Sequence, residues 1–290
     1  MAYAEEGSGP PVVLLHGFPT SAHLWRDLVP LLAPRFRTIA PDLIGYGDSE
    51  KPPAAALDVG AQARYARELL QQLGVQEFAA VGHDIGGGVA QLLSLEGGVH
   101  ALVLVDSMSF GSRPPVLQPF PSQDLTLSEG RVAEEFVRLH LELGMSHRDR
   151  LAQGDLDEYV RPWVQEPAAL VRAAGATDGG VLAGTEERLK ALDIPTLVLW
   201  GEDDPFQPSE LAERLWETLP DASIALLPGC SHFLTEDAME TALPLVLQFL
   251  RRRYLGEEGH AHDHATGPVP VDLGVSFDRP PHPGDELVDE

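Results

Sequence analysis

Asp84 stands at the centre of Gly82-His83-Asp84-Ile85-Gly86, between an apolar run (Phe78, Ala79, Ala80, Val81) and a helical apolar pattern (Val89, Ala90, Leu92, Leu93). Strand, sharp turn and helix form the setting of a nucleophile elbow. There the reactive side chain sits at a strained apex, flanked by glycines because a Cβ would clash. The usual occupant is serine, and aspartate changes what the site can do. A serine alkoxide attacking an sp³ carbon would leave an ether that the site could not hydrolyse. An aspartate that displaces a halide or opens an epoxide leaves an ester of its own side chain, which water can cleave.

The groups needed to cleave that ester follow along the chain. Ligands of open parallel sheets collect at the carboxyl ends of the strands, and four turn segments fall at such places. These are His16-Gly17-Phe18-Pro19, the Asp84 turn, Gly201-Glu202-Asp203-Asp204-Pro205 and Gly229-Cys230-Ser231-His232-Phe233. Together they offer a backbone donor loop, a nucleophile, an acid and a base. His232 is placed to take a proton from water attacking the Asp84 carbonyl carbon. Asp204 would hold the imidazole tautomer and stabilise the imidazolium. Structural readings compete. Asp84 could cap the following helix, where the dipole attracts anions, and His232 could be a packed histidine. The flanking Gly86, Gly87 and Gly88 and the strand-end positions favour catalysis for both. Cys230 reads as a small residue filling the turn before His232, His83 as packing beside the elbow, and Asp42 as a tether for its own loop.

The elements that must position these residues alternate. Strand-like runs at residues 12–15, 36–40, 78–81, 101–105, 196–200 and 223–227 are continuously apolar, as when both faces of a sheet are covered. Helical patterns lie between them at 23–33, 60–73 (closed by Gly74), 186–192, 209–219 and 235–254. This spacing predicts an α/β fold with a parallel sheet. Residues 109–184 break the alternation, with helical patches at 130–143 and 168–174, and read as a mostly helical insertion. Residues 256–290 hold Gly, Pro, His and acids without apolar periodicity and read as a disordered tail. Its His260, His262 and His264 could hold a metal, but no second ligand cluster defines a geometry, and a flexible polar tail is the preferred reading.

The totals exclude several classes. The 290 residues can bury a substantial core, and 45 acidic against 20 basic residues give a net charge of −25. Such a surface repels nucleic acid and anionic membranes. The single cysteine, Cys230, rules out an intrachain disulfide and suits a reducing cytoplasm. The amino-terminal residues carry neither a basic segment nor an apolar run of signal-peptide type. A cytoplasmic protein acting on a small molecule is the expectation; no oligomeric state is readable.

In the order nucleophile, acid, histidine, the chain resembles the α/β-hydrolases over residues 3–254, in the branch with an aspartate nucleophile. The motifs that match, in order, are His16-Gly17-Phe18-Pro19, Ala40-Pro41-Asp42-Leu43-Ile44-Gly45-Tyr46-Gly47-Asp48-Ser49, Gly82-His83-Asp84-Ile85-Gly86-Gly87 and Trp200-Gly201-Glu202-Asp203-Asp204-Pro205. The resemblance implies a core of residues 1–108 and 185–255, a helical cap at 109–184 inserted after the sixth strand, and hydrolysis without a cofactor or metal. It implies an oxyanion hole from the backbone N–H groups of Phe18 and Ile85. It also leaves Asp106 as an alternative acid, since fluoroacetate dehalogenases place theirs at that strand end. Family members usually carry one more strand ahead of residues 3–9, so a missing edge strand or a start codon placed downstream is expected.

The resemblance divides over the reaction. Haloalkane dehalogenases hold the halide with an Asn after His-Gly and a Trp after the nucleophile, where this chain has Phe18 and Ile85. Fluoroacetate dehalogenases hold a carboxylate with arginines around the nucleophile, which Ile85 and Gly88 do not supply. Epoxide hydrolases share His16-Gly17-Phe18-Pro19, usually carry a Trp after the nucleophile as well, and protonate the epoxide oxygen from cap tyrosines, normally a pair. Tyr159 is the one tyrosine in this cap, and packing is the competing reading for it; His140, His147 and Trp163 are further pocket candidates. The loop from Asp42 to Pro52 looks closest to haloalkane dehalogenases. Because function lives in the site, epoxide hydrolysis leads and dehalogenation follows. A non-catalytic small-molecule binder is the reading from another class.

Overall fold

The computed structural model describes residues 1–113 and 130–257; residues 114–129 and the tail histidines His260, His262 and His264 lie outside the described part. Seven strands form one sheet: β1 (Tyr3–Glu6), β2 (Pro11–Leu15), β3 (Arg37–Pro41), β4 (Phe78–His83), β5 (Val99–Val105), β6 (Thr196–Gly201) and β7 (Ala222–Leu227). Their order is β1-β3-β2-β4-β5-β6-β7. All neighbours are parallel except β1, which runs antiparallel on β3 with Tyr3 opposite Pro41. The central strands are buried along their lengths, His100 of β5 apart, because helices cover both faces. Sheet order reverses between β2 and β4. That switch point opens a crevice at the strand carboxyl ends, between the loop after β2 and the turn after β4.

The helices are α1 (Val29–Leu32), α2 (Val59–Gln72), α3 (Ile85–Glu96), α4 (Gly130–Leu143), α5 (Gln153–Gln165), α6 (Pro167–Gly175), α7 (Glu186–Leu189), α8 (Glu210–Thr218), α9 (Leu234–Asp237) and α10 (Met239–Arg253). Gly74 ends α2 as expected. Its φ of +70° lets the chain turn back, with Val75 N–H on Leu70 O at 2.8 Å and Gly74 N–H on Gln71 O at 3.1 Å, the two bonds of a Schellman closure.

Four departures from the sequence reading have physical causes. Residues 23–33, expected as one helix, split into a 3₁₀ turn (Ala22–Trp25) and the single turn α1, which Pro30 opens. Residues 235–254, expected as one helix, break at Ala238 (φ −141°) into α9 and α10. The break leaves Asp237 facing inward, where its carboxylate takes the N–H groups of Ser146, His147 and Ser231. The helix α5 carries Pro162 in its interior, which obscures a buried stripe of Tyr159, Val160 and Trp163. The exposed edge strand β1 has no apolar run to announce it. The inserted helices follow β5, the sixth strand in the family's counting but the fifth of this chain.

Candidate active site

Asp84 caps the end of β4 at φ +50°, a left-handed conformation that non-glycine residues adopt at a cost of about 1–3 kcal/mol. The glycines around it make that turn possible. A Cβ on Gly86 would lie 2.2 Å from Leu15 O, one on Gly82 2.4 Å from Gly86 O, and one on Gly17 2.5 Å from Asp84 Cβ. The turn is held by Met108 N–H on Asp84 O at 3.0 Å and by Asp84 N–H on Val105 O at 3.2 Å. The side chain is buried.

The two oxygens of Asp84 have different surroundings. Oδ2 accepts from Phe18 N–H at 3.0 Å, and the Ile85 N–H also donates to the carboxylate. Oδ1 accepts from the Gln207 side-chain amide, Nε2, at 3.3 Å. Burial raises the Asp84 carboxyl above its ordinary value, against the lowering effect of His232 and these donors. A carboxylate held by donors but stripped of water is a more reactive nucleophile than a solvated one.

His232 follows β7 and Asp204 follows β6. The His232 Nδ1 donates to Asp204 Oδ2 at 2.8 Å, while Asp204 Oδ1 takes the N–H groups of Phe206 at 2.7 Å and Gln207 at 3.0 Å. Burial alone would lower His232, but the carboxylates of Asp204 and then Asp84 outweigh it and raise the imidazole above its ordinary value. His83 Nε2 donates to His232 O at 2.9 Å, so the residue beside Asp84 braces the backbone of His232. Asp106 sits at the end of β5 with φ +43°. Its Oδ1 takes Gly201 N–H at 2.8 Å, and its Oδ2 is buried without a partner among the described residues. Burial first, and then the nearby Asp204, push its carboxyl well above the ordinary range. The hydrogen bond to His232 thus belongs to Asp204. Asp42 ties its loop as expected, accepting from Ala22 N–H and Asp48 N–H.

The inserted helices deliver their residues unequally. His140 of α4 stacks on Phe206, ring centroids 4.3 Å apart, and meets Phe18 edge-on at 5.2 Å. Burial and then the charge of His232 push it down to about 3, so its imidazole is neutral. Neither ring nitrogen has a hydrogen-bond partner among the described residues. Trp163 lies against Phe18 and Tyr46 and spends its indole N–H on Pro19 O at 2.7 Å. Tyr159 turns to another network. Its hydroxyl donates to Glu236 Oε1 at 2.6 Å and accepts from Arg26 at 3.2 Å, and Arg26 grips Glu236 through two further bonds. Burial, and then the Glu236 charge, hold that phenol well above its ordinary value. His147 is half-exposed, with its backbone N–H on Asp237.

Gln207, Phe206 and the Glu236–Asp237 pair escaped the sequence reading. Gln207 lies three residues past Asp204 in the same turn, and that spacing was the only signal for it. Glu236 and Asp237 looked like the polar face of one long helix.

A sequence profile for the alpha/beta hydrolase fold matches residues 10–238. The chain is 30% identical over 264 residues to haloalkane dehalogenase 2 of Mycobacterium bovis, covering 85% of this chain and 90% of that one. It is 29% identical over 269 residues to a soluble epoxide hydrolase of Corynebacterium sp. strain C12, covering 86% and 93%. Among solved structures, an alpha/beta hydrolase fold protein from Burkholderia ambifaria superposes with a TM-score of 0.78 at 26% identity, covering 85% and 93%.

Proposed function

The chain belongs to the α/β-hydrolase fold family and is an enzyme of that fold, and we propose that it opens an epoxide through a covalent ester on Asp84. Of the insertion at 109–184, the described helices α4, α5 and α6 act as the cap over this site. In the first step Asp84 Oδ1 attacks an epoxide carbon, the C–O bond breaks and its electron pair stays on the ring oxygen. A neutral imidazole N–H can stabilise such an oxyanion without being charged itself, and His140 is the group we assign to it. In the second step His232 Nε2 takes a proton from water as the water oxygen bonds to Asp84 Cγ. The charge on Oδ2 is held by the N–H groups of Phe18 and Ile85. The Cγ–Oδ1 bond then breaks, His232 returns its proton to the departing oxygen, and a diol leaves. The first alkoxide takes its proton from solvent water, and the proton released as Asp84 reverts to carboxylate neutralises the hydroxide so formed.

His140 carries the preference for an oxygen leaving group. The side chains at positions 18 and 85 offer a halide no N–H, and the Trp163 N–H is already spent on Pro19 O. The imidazole of His140 has both nitrogens unclaimed among the described residues. Dehalogenation is the second reading, favoured by the Asp42-to-Pro52 loop and by the dehalogenase relative.

The test is the intact mass of His232→Gln protein incubated with a terminal epoxide and, separately, with the 1-haloalkane of the same skeleton. Without its base the enzyme should accumulate the ester. A gain equal to the whole epoxide supports the proposal. A gain of the alkyl group without its halide replaces it with dehalogenation, and no adduct with either points to a binder.

A further inference from the structure

We propose that Gln207 is a further catalytic residue, whose amide donates to the oxygen that departs when the ester on Asp84 is hydrolysed. The inference rests on the reading of Asp84 as the nucleophile and adds a donor for its second step.

Gln207 is fixed at every polar atom. Its backbone N–H is on Asp204 Oδ1 at 3.0 Å, and its carbonyl accepts the Trp200 indole N–H at 2.8 Å. The side chain is fully buried. Its Oε1 accepts from the Ser112 hydroxyl at 2.9 Å, and Ser112 Oγ in turn accepts from Ser109 N–H at 3.2 Å. The hydroxyl's only described acceptor is Gln207 Oε1, so the amide is oriented with its NH₂ toward Asp84. Nε2 then lies 3.3 Å from Asp84 Oδ1.

The asymmetry of the two Asp84 oxygens gives this donor a specific task. Oδ2 sits on backbone donors suited to the tetrahedral oxyanion, so Oδ1 is the oxygen that attacks and becomes the bridging oxygen of the ester. When water adds to Cγ and the intermediate collapses, the Cγ–Oδ1 bond breaks and negative charge grows on Oδ1 until His232 protonates it. An N–H at 3.3 Å is a long hydrogen bond to a resting carboxylate. It gains strength as charge builds on that oxygen, which is the condition for accelerating a step rather than merely binding. In the first step the same bond holds charge that is leaving Oδ1, so it offers no acceleration there.

The two steps can be separated by rapid-quench intact-mass measurement with an epoxide. Gln207→Met keeps the bulk and removes the N–H. It is expected to form the ester at a rate within about threefold of the wild type and to break it down about 10²-fold more slowly, the low end for loss of an oxyanion donor. Ester-bearing protein should therefore accumulate during turnover. Ser112→Ala leaves Gln207 in place but releases Oε1, and should show the same selective slowing to a smaller degree; it serves if Gln207→Met does not fold. Equal breakdown rates in the variants and the wild type would overturn the proposal while leaving Asp84 as nucleophile, provided His232→Gln still accumulates ester. Absence of ester in His232→Gln would overturn both.

Discussion

Asp204 Oδ2 lies 2.8 Å from His232 Nδ1, and its other oxygen is occupied by two N–H groups of its own turn. The carboxylate therefore cannot rotate away from the imidazole without leaving two buried N–H groups unpaired, a cost of about 1–3 kcal/mol each. His232 is raised above its ordinary value by this partner more than by Asp84, and it must be neutral to accept the proton of water. Turnover should rise with pH through that raised value. In Asp204→Asn the rise is expected to begin at lower pH, with turnover lowered about 10⁴-fold as for loss of a triad carboxylate. A pH–rate profile checks both. An unmoved acid limb would take Asp204 out of the triad.

Asp106 should behave oppositely. Burial and then Asp204 push its carboxyl up, which favours the neutral form, and Asp106→Asn has the shape of that form and keeps the acceptor for Gly201 N–H. The acid limb should stay where it is. A carboxyl raised in the folded state contributes stability below its unfolded value near 4 and loses it as pH rises toward the folded value. The variant should therefore gain on the wild type above about pH 4, by at most about 1.4 kcal/mol per pH unit. Denaturant unfolding at pH 4 and pH 7 measures this. A difference that does not change with pH would show Asp106 to be ionised.

Gly17 has no room for a side chain, because its Cβ would stand 2.5 Å from Asp84 Cβ and 2.9 Å from Oδ2. Gly17→Ala must move either the nucleophile or the Phe18 N–H that faces it. A displacement near 1 Å at reacting groups costs about 10²-fold, so turnover should fall by about that factor. Steady-state kinetics checks the fall. Turnover within a fewfold of the wild type would contradict the tight packing of this loop on Asp84.

Tyr159 and His140 separate the two possible donors of the inserted helices. The Tyr159 hydroxyl is bound to Glu236 and Arg26, so Tyr159→Phe should lower thermal stability while leaving turnover within about threefold. His140→Phe keeps the aromatic stack on Phe206 and removes the unclaimed nitrogens. It is expected to slow ester formation about 10²-fold, the lower range for loss of an oxyanion donor. Rapid-quench kinetics of both variants decides. The reverse ranking would move the donor role to Tyr159.

Most of the sheet was legible because buried parallel strands are continuous apolar runs, and Val81 or Leu104 could hardly be placed otherwise. Asp84, Asp204 and His232 were legible because each follows such a run within a glycine-rich turn. What was hidden depends on long-range partners. Nothing local distinguishes Gln207, pointed at Asp84 by Ser112 from 95 positions away, from any turn glutamine. Glu236 is buried because Arg26 lies opposite it, and so Tyr159, legible as a phenol above the site, is drawn aside. The break at Ala238 likewise belongs to the three N–H groups gathered by Asp237.

The central claim is that Asp84 attacks carbon and water attacks Asp84. A single turnover of wild-type enzyme in excess over an epoxide, run in H₂¹⁸O, tests it by mass spectrometry of the diol and of the peptide carrying Asp84. The account expects ¹⁸O in the Asp84 side chain and an unlabelled diol, whose new oxygen is the former Oδ1. A labelled diol with unlabelled Asp84 would mean that water opens the ring directly and would contradict the covalent mechanism.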